Sequence, residues 1–187
     1  MNQFSFPKVA DHLERSPELS QWYTPLELCE RMIKWAHIKP GDVVLEPSCG
    51  DGRICRLIEA WQPEAKVIAI DLAPKYAPAR RCDFLAVQSL EPTPTIAIMN
   101  PPYENNADLE HVLHAAELCG RVVALVRIVF LAGRERYHRL WRCARLSRLA
   151  ILSSRPKFDG PGDGSAKSDY CVVEIGGAGP LVQVEWW

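Results

Sequence analysis

The residues best suited to chemistry are Asn100-Pro101-Pro102-Tyr103, which follow the apolar run Ile96-Ala97-Ile98-Met99. The run reads as a strand buried on both faces of a parallel sheet. Neither proline has a backbone N–H, so the hydrogen-bond ladder stops there. Pro101 also pushes Asn100 out of the helical region. The result is a stiff extended tip just past a strand's carboxyl end, where open α/β sheets place their ligands. The tip offers a side-chain amide, carbonyls without helical partners and an aromatic ring. These suit a planar amino group, with two acceptors for its hydrogens and a face for its ring. Asn-Pro is equally a common turn starter, so the rest of the chain has to separate a site from a turn.

Three acids precede this tip at comparable points. Val43-Val44-Leu45-Glu46 is a short apolar strand running into Pro47-Ser48-Cys49-Gly50-Asp51-Gly52-Arg53, with a helix predicted from about Ile54 to Ala60. Strand, glycine turn and helix form the first unit of a nucleotide-binding sheet: glycines admit close backbone approach, and the helix start offers free N–H groups. The turn is not G-x-G-x-x-G and no G-x-x-x-x-G-K-[ST] occurs, which argues against the usual dinucleotide site and against a P-loop. Lys66 to Ile70 is the second strand, ending at Asp71, which could accept from both hydroxyls of a ribose or simply cap a helix. Asp83-Phe84 is another acid–aromatic pair at a strand tip, suited to an adenine amino group and its ring.

The elements that must hold these residues follow from pattern. Thr24 as N-cap, Pro25 at the first helical position and Glu27 at N3 predict a capping-box helix from Pro25 to Ala36. Ala107 to Cys119 is an amphipathic helix closed by Gly120. Its His111 and His114 lack a third ligand at metal spacing and read as surface or satisfied histidines; no metal site is expected. Arg121 to Leu131 is predicted as the fifth strand, Gly133 to about Ala144 as a helix, Leu149 to Ser153 as the sixth strand, Tyr170 to Ile175 as the seventh, and Leu181 to Trp187 as a final strand. Residues 1–20 read as an irregular arm and residues 158–168 as a mobile loop. Residues 21–187 then form a single domain.

The hydrophobic share of 48% supports a true core and argues against a disordered chain. No apolar run reaches the length of a membrane span, and the first residues lack the apolar stretch of a signal peptide. Seven cysteines, an odd number with no C-x-x-C pair, read as reduced thiols of a cytoplasmic protein. The net charge of −1 hides an asymmetry: residues 121–157 carry ten Lys/Arg against Glu135 alone, a balance of +9. Such a segment is either a nucleic-acid footprint or a solvated helix face.

In this order, Tyr23-Thr24-Pro25, Glu46-Pro47-Ser48-Cys49-Gly50-Asp51-Gly52, Asp71, Asp83-Phe84 and Asn100-Pro101-Pro102-Tyr103 resemble the S-adenosylmethionine-dependent N6-adenine methyltransferases. Arg127-Ile128-Val129-Phe130-Leu131-Ala132-Gly133-Arg134, Arg155-Pro156-Lys157-Phe158 and Asp169-Tyr170 are similar to motifs of the small phage-type DNA adenine enzymes. The resemblance implies a Rossmann-like class I methyltransferase fold: α/β, a seven-stranded mostly parallel sheet with helices on both faces. It implies S-adenosyl-L-methionine as cofactor. Tyr23, Thr24 and Pro25 would line its methionine end, with Glu46 at the amino group and Pro47, Ser48, Cys49, Gly50, Asp51 and Gly52 passing close by. Asp71 with Leu72 would hold the ribose, and Asp83 with Phe84 the adenine. Asn100 and the Pro101 carbonyl would accept the target amino hydrogens, with Pro102 stiffening the tip and Tyr103 stacking on the base. Arg127, Phe130, Arg134, Arg139, Arg142, Arg155 and Phe158 would meet the nucleic acid.

Sequence-specific relatives add a target-recognition domain, and none is expected here. Low sequence specificity follows, or a substrate presented by a partner subunit. RNA adenine methylation is the nearest rival. Protein glutamine N5 methylation fits less well, because those enzymes typically carry Asp-Leu-Gly where this chain has Glu-Pro-Ser. A non-catalytic binding protein would have no need to keep Asn100 and the glycine turn.

Overall fold

The computed structural model describes residues 22–143, 146–160, 164–176 and 183–187. The expected arm at 1–20 lies outside them. Among the described residues eight strands, one more than expected, form one sheet: β1 (Val43–Glu46), β2 (Lys66–Asp71), β3 (Arg80–Arg81), β4 (Ile96–Met99), β5 (Arg121–Arg127), β6 (Leu146–Ile151), β7 (Tyr170–Gly176) and β8 (Gln183–Trp186). Their order is β3-β2-β1-β4-β5-β7-β6-β8. β7 alone runs against the others, inserted antiparallel between β5 and β6. Chain direction across the sheet reverses between β1 and β4, so their carboxyl ends flank the switch point where such sheets bind ligands.

Strand alternation divides the core into two layers. Ile96 and Ile98 of β4, with Val123 and Leu125 of β5, face helices α1 (Leu26–Ala36) and α2 (Arg53–Trp61). Ala97 and Met99, with Val122, Ala124 and Val126, face α3 (Ala107–Leu118). Cover on both faces explains why β4 is wholly apolar and why its end must be marked by chain-breaking residues.

Several boundaries differ from expectation. α1 begins at Leu26, with Pro25 in the cap position at ψ 140° and no side-chain cap, so Thr24 is not the N-cap. Its carbonyl is turned instead to Arg53 Nη1. The fifth strand stops at Arg127, the last residue in register with β7; Ile128 N–H still donates to Asp169 O, and residues Ile128–Leu131 coil into a 3₁₀ turn. The basic helix is short: α4 (Arg134–Arg136) widens into a π-helical turn over Tyr137–Trp141, with the Arg142 N–H donating to Tyr137 O. That turn sinks Leu140 completely. The final strand appears at β8, while Leu181 lies outside the described residues. No helix is long and apolar enough to cross a membrane among the described residues.

Candidate active site

The carboxyl ends of β1, β2 and β4 open into one cleft of about 730 Å³. Glu46, Asp71, Asp83 and Asn100 all line it, although 54 positions separate the first from the last. Each of these residues ends or follows a strand, so a buried sheet brings them together without any local sequence relation.

Glu46 closes β1 and is 1% exposed. It accepts one hydrogen bond from the Ser48 N–H. Burial pushes its carboxyl well above the usual carboxylate range, and the neighbouring Cys49 and Asp71 add to the shift. Asp71, at the end of β2, accepts from Gly50 N–H at 2.8 Å and from Ala73 N–H at 2.8 Å, one to each oxygen. Each oxygen keeps a further lone pair for a ligand hydroxyl. Asp83 caps a 3₁₀ turn through Leu85 N–H. Phe84 beside it is 2% exposed and holds the rings of His111 and His114. It is core with at most an edge on the cleft, short of the ring-stacking role expected for it.

Gly50 adopts φ +54°, and a Cβ there would lie 3.0 Å from the Tyr23 ring. This glycine brings backbone and ring together at the methionine end of the expected site. Gly52, also at positive φ, is required for another reason: a Cβ would run into Tyr76 at 2.3 Å. It and Pro25 do not line the cleft. Ser48 Oγ donates to Asn100 O at 3.1 Å, tying the first strand's turn to the β4 tip.

The front wall is built around Arg53, which the sequence reading did not single out. It pairs with Asp51 and Asp159, donates to Thr24 O and lies 5.2 Å from the Tyr23 ring centroid. A cation in the first turn of a helix opposes the helix dipole, and that misplacement was the available signal. Tyr23 and Asp159 exchange backbone hydrogen bonds. The expected mobile loop is paired at its base, where Lys157 bridges Ser165. Its residues 161–163 lie outside the described set. His111 also lines the cleft; it is buried, with Nδ1–H donating to Ala107 O, a satisfied rather than a surface histidine.

At the β4 tip, the Tyr103 hydroxyl meets both the Asn100 side chain and, at 3.0 Å, Leu125 O. Burial pushes this phenol well above the usual tyrosine value. Arg127 lies over the Tyr103 ring at 5.4 Å and donates to Tyr103 O. Tyr170 packs against the same ring, and Phe158, 7% exposed, against Tyr170. Behind them Asp108, 1% exposed, sits between Arg136 at 3.3 Å and Arg127 at 3.9 Å.

The remaining basic residues are not gathered at the cleft. Phe130 is fully buried against Trp141 and cannot meet a substrate. Arg139 is engaged by both oxygens of Glu110 and by Glu135, which correct its reading as a phosphate contact. Arg155 pairs with Asp169 at 2.8 Å on the surface. Arg134 and Arg142 are exposed.

No protein-family model matches the sequence, and no curated protein matches it. Solved structures do share the fold. The methyltransferase subunit of a type I restriction-modification system from Streptococcus thermophilus superposes with a TM-score of 0.72 at 14% identity, covering 89% of this chain and 47% of that one. A modification subunit assigned to a type I restriction enzyme of Vibrio vulnificus gives 0.67 at 13%, covering 88% and 46%. The 23S rRNA methyltransferase ErmE gives 0.58 at 18%, covering 86% and 72%. The fold is therefore the Rossmann-like fold of the methyltransferases. The chain spans about half the length of the two modification subunits.

Proposed function

We propose that this protein is an S-adenosylmethionine-dependent methyltransferase acting on the exocyclic N6 of adenine in DNA, in a single catalytic domain. The observation that carries the reading is the Asn100-Pro101 tip, held at the switch point of a methyltransferase sheet, in the same cleft as Glu46, Asp71 and Asp83.

The residues fit the cofactor. The cleft has the size of a small-molecule site. Glu46 is a buried carboxylate with a raised affinity for a proton, hence for any cationic partner such as an amino group. Asp71 keeps acceptor capacity on both oxygens for a diol, and Gly50 leaves no room for a side chain beside Tyr23. When bound, the cofactor supplies a methyl on a sulfonium centre.

The chain's own contribution is positioning. An adenine amino nitrogen is a weak nucleophile because its lone pair is delocalised into the ring. Asn100 Oδ1 and Pro101 O accept its two hydrogens and draw it toward tetrahedral geometry. A bound cofactor would supply the methyl to that lone pair, its sulfur keeping the S–C electrons, and the nitrogen would then shed one proton to solvent. No general base is needed before transfer, so preorganised acceptors carry the rate. A base in a duplex must leave the stack to reach the cleft. Phe158 and Tyr170 line the wall beside the tip and offer rings to receive it.

The test is transfer of tritiated methyl from the cofactor to duplex DNA, single-stranded DNA, structured RNA and protein side by side, with digestion to identify N6-methyladenine. Label in RNA alone would replace DNA by RNA as substrate. Label in protein glutamine would replace both.

A further inference from the structure

We infer that Arg53, through Asp159, is a positioning residue that ties the ring wall of the target base to the cofactor turn, so that cofactor and nucleic acid strengthen each other's binding. The inference deepens the proposed reaction and rests on that reading.

Arg53 opens α2 directly after the glycine turn, and its guanidinium reaches three separate pieces of chain. Nε and Nη2 donate to the Asp51 carboxylate of the turn itself. Nη1 directs its two hydrogens to Thr24 O, just ahead of α1, and to Asp159 Oδ2 at 2.6 Å. The contact with Asp159 does not stand alone. Tyr23 N–H donates to Asp159 O at 2.8 Å, and Asp159 N–H to Tyr23 O at 2.9 Å. The Tyr23 ring in turn leaves Gly50 no room for a Cβ, and Arg53 and Lys75 lie 5.2 and 5.1 Å from its centroid. One side chain therefore holds the cofactor turn, the segment that would line the methionine end, and Asp159.

On its other side Asp159 continues into the wall beside the target tip. Phe158 N–H donates to Gly164 O at 2.9 Å, and Lys157 bridges Ser165. Gly164 sits at φ +70°, where a Cβ would lie 2.1 Å from Phe158 O, so residues 157–159 and 164–166 close tightly on each other. The Phe158 ring packs on Tyr170 at 5.3 Å. Phe158, Gly164, Ser165 and Ala166 line the cleft, whereas Asp159 does not. Asp159 thus joins the two halves of the cleft without lining either. The coupling follows from order. A cofactor that fixes Tyr23 and the glycine turn also fixes Asp159 and Phe158, and a base that meets an ordered wall loses less freedom on binding. Linkage makes the effect mutual. The Asp159 side chain is 65% exposed, so its ion pair adds little to the stability of the fold.

Asp159→Ala removes the contact without altering the lining of the cleft. In the wild type, S-adenosylhomocysteine should raise affinity for a labelled DNA duplex about tenfold, within the usual range of coupling between two sites. In Asp159→Ala that factor should fall to near one, while affinity for S-adenosylhomocysteine alone stays within a few-fold of wild type. A merely structural role would weaken both affinities and keep their coupling. An unchanged factor in the variant, or a factor near one in the wild type, would overturn the inference. The second arm needs no nucleic acid. Hydrogen exchange followed by ¹⁵N NMR should show S-adenosylhomocysteine slowing the Tyr23 and Phe158 amides in the wild type, with the effect at Phe158 lost in Asp159→Ala. A Phe158 amide that ignores S-adenosylhomocysteine in the wild type, or gains equal protection in both proteins, would refute the link. A wild type that passes this arm and binds no nucleic acid upholds the link between turn and wall and counts against the proposed substrate alone.

Discussion

The strand-tip acids and the arginines around α4 are both dense clusters of charge, but they are satisfied differently. Glu46 and Asp71 accept from backbone N–H groups, which leave acceptor capacity on their oxygens. Arg139 and Arg136 are matched by Glu110, Glu135 and Asp108. Acceptors met by backbone dipoles retain their need for a cation or for hydroxyl donors. A cluster paired with opposite charges has spent that need inside the protein. Charge density alone therefore does not mark a binding surface, and the identity of the partners does.

The contrast is tested most strongly at the tip the acids surround. Asn100→Ala should reduce methyl transfer by about 10²-fold or more, in line with the loss of one preorganised polar contact. Cofactor affinity should stay within a few-fold, since Asn100 meets the target nitrogen. Single-turnover kinetics beside calorimetry separate the two, and near-normal turnover would remove Asn100 from the chemistry.

Next in size is Asp71→Ala. The acceptor for two ribose hydroxyls disappears, so cofactor binding should weaken by roughly 2–3 kcal/mol, as for a lost hydrogen-bonded charge. Titration calorimetry measures it, and an unchanged affinity would leave Asp71 as a turn-forming residue for Gly50 and Ala73.

Glu46 gives a pH signature. Its folded pKa is raised above the unfolded value, so its stabilising contribution is present at low pH and is lost as pH rises through the folded pKa. Glu46→Gln should therefore melt progressively higher than wild type as pH increases. A cationic amino group beside Glu46 pulls its pKa back down, so cofactor binding should release a proton. Calorimetry in buffers of different ionisation heat detects that release, which Glu46→Gln should abolish. Equal proton release in both proteins would detach Glu46 from the ligand.

These residues were legible because strand ends are legible. An apolar run followed by Pro, Gly or an acid locates a side chain on the sheet edge without knowledge of the fold, and Glu46, Asp71 and Asn100 all follow that rule. Arg53 and Asp159 were not legible, because their roles exist only across the fold: the pair spans 106 residues. Phe130 failed for a related reason. Its motif placed it next to Arg127, but the strand ended there and the turn that followed rotated the ring into the core. Spacing predicts which edge a residue reaches, whereas pairing decides what a charge or ring on that edge is free to do.

The smallest expected effect concerns the basic segment, where pairing changes the expectation. Read from sequence, Arg139, Arg142 and Arg155 would each release counterions from nucleic acid, lowering the log–log salt slope by about 0.9 apiece on a duplex. The structure gives Arg139 a two-pronged contact with Glu110 and a further bond to Glu135. Arg139→Ala should leave the slope unchanged and lower stability by only about 0.5–1 kcal/mol, because the pair is partly solvent-exposed. Arg155 should behave similarly at the slope, since Asp169 holds it. Arg134 and Arg142 are exposed, and the double variant Arg134→Ala, Arg142→Ala should flatten the slope by about two units if both touch phosphates. Binding to a labelled duplex across a salt series, with Arg139→Ala and the double variant measured beside wild type, checks both halves. A slope that falls with Arg139→Ala would mean that its acids release it to the nucleic acid. A slope that ignores the double variant would place the footprint on Arg127 and the cleft rim.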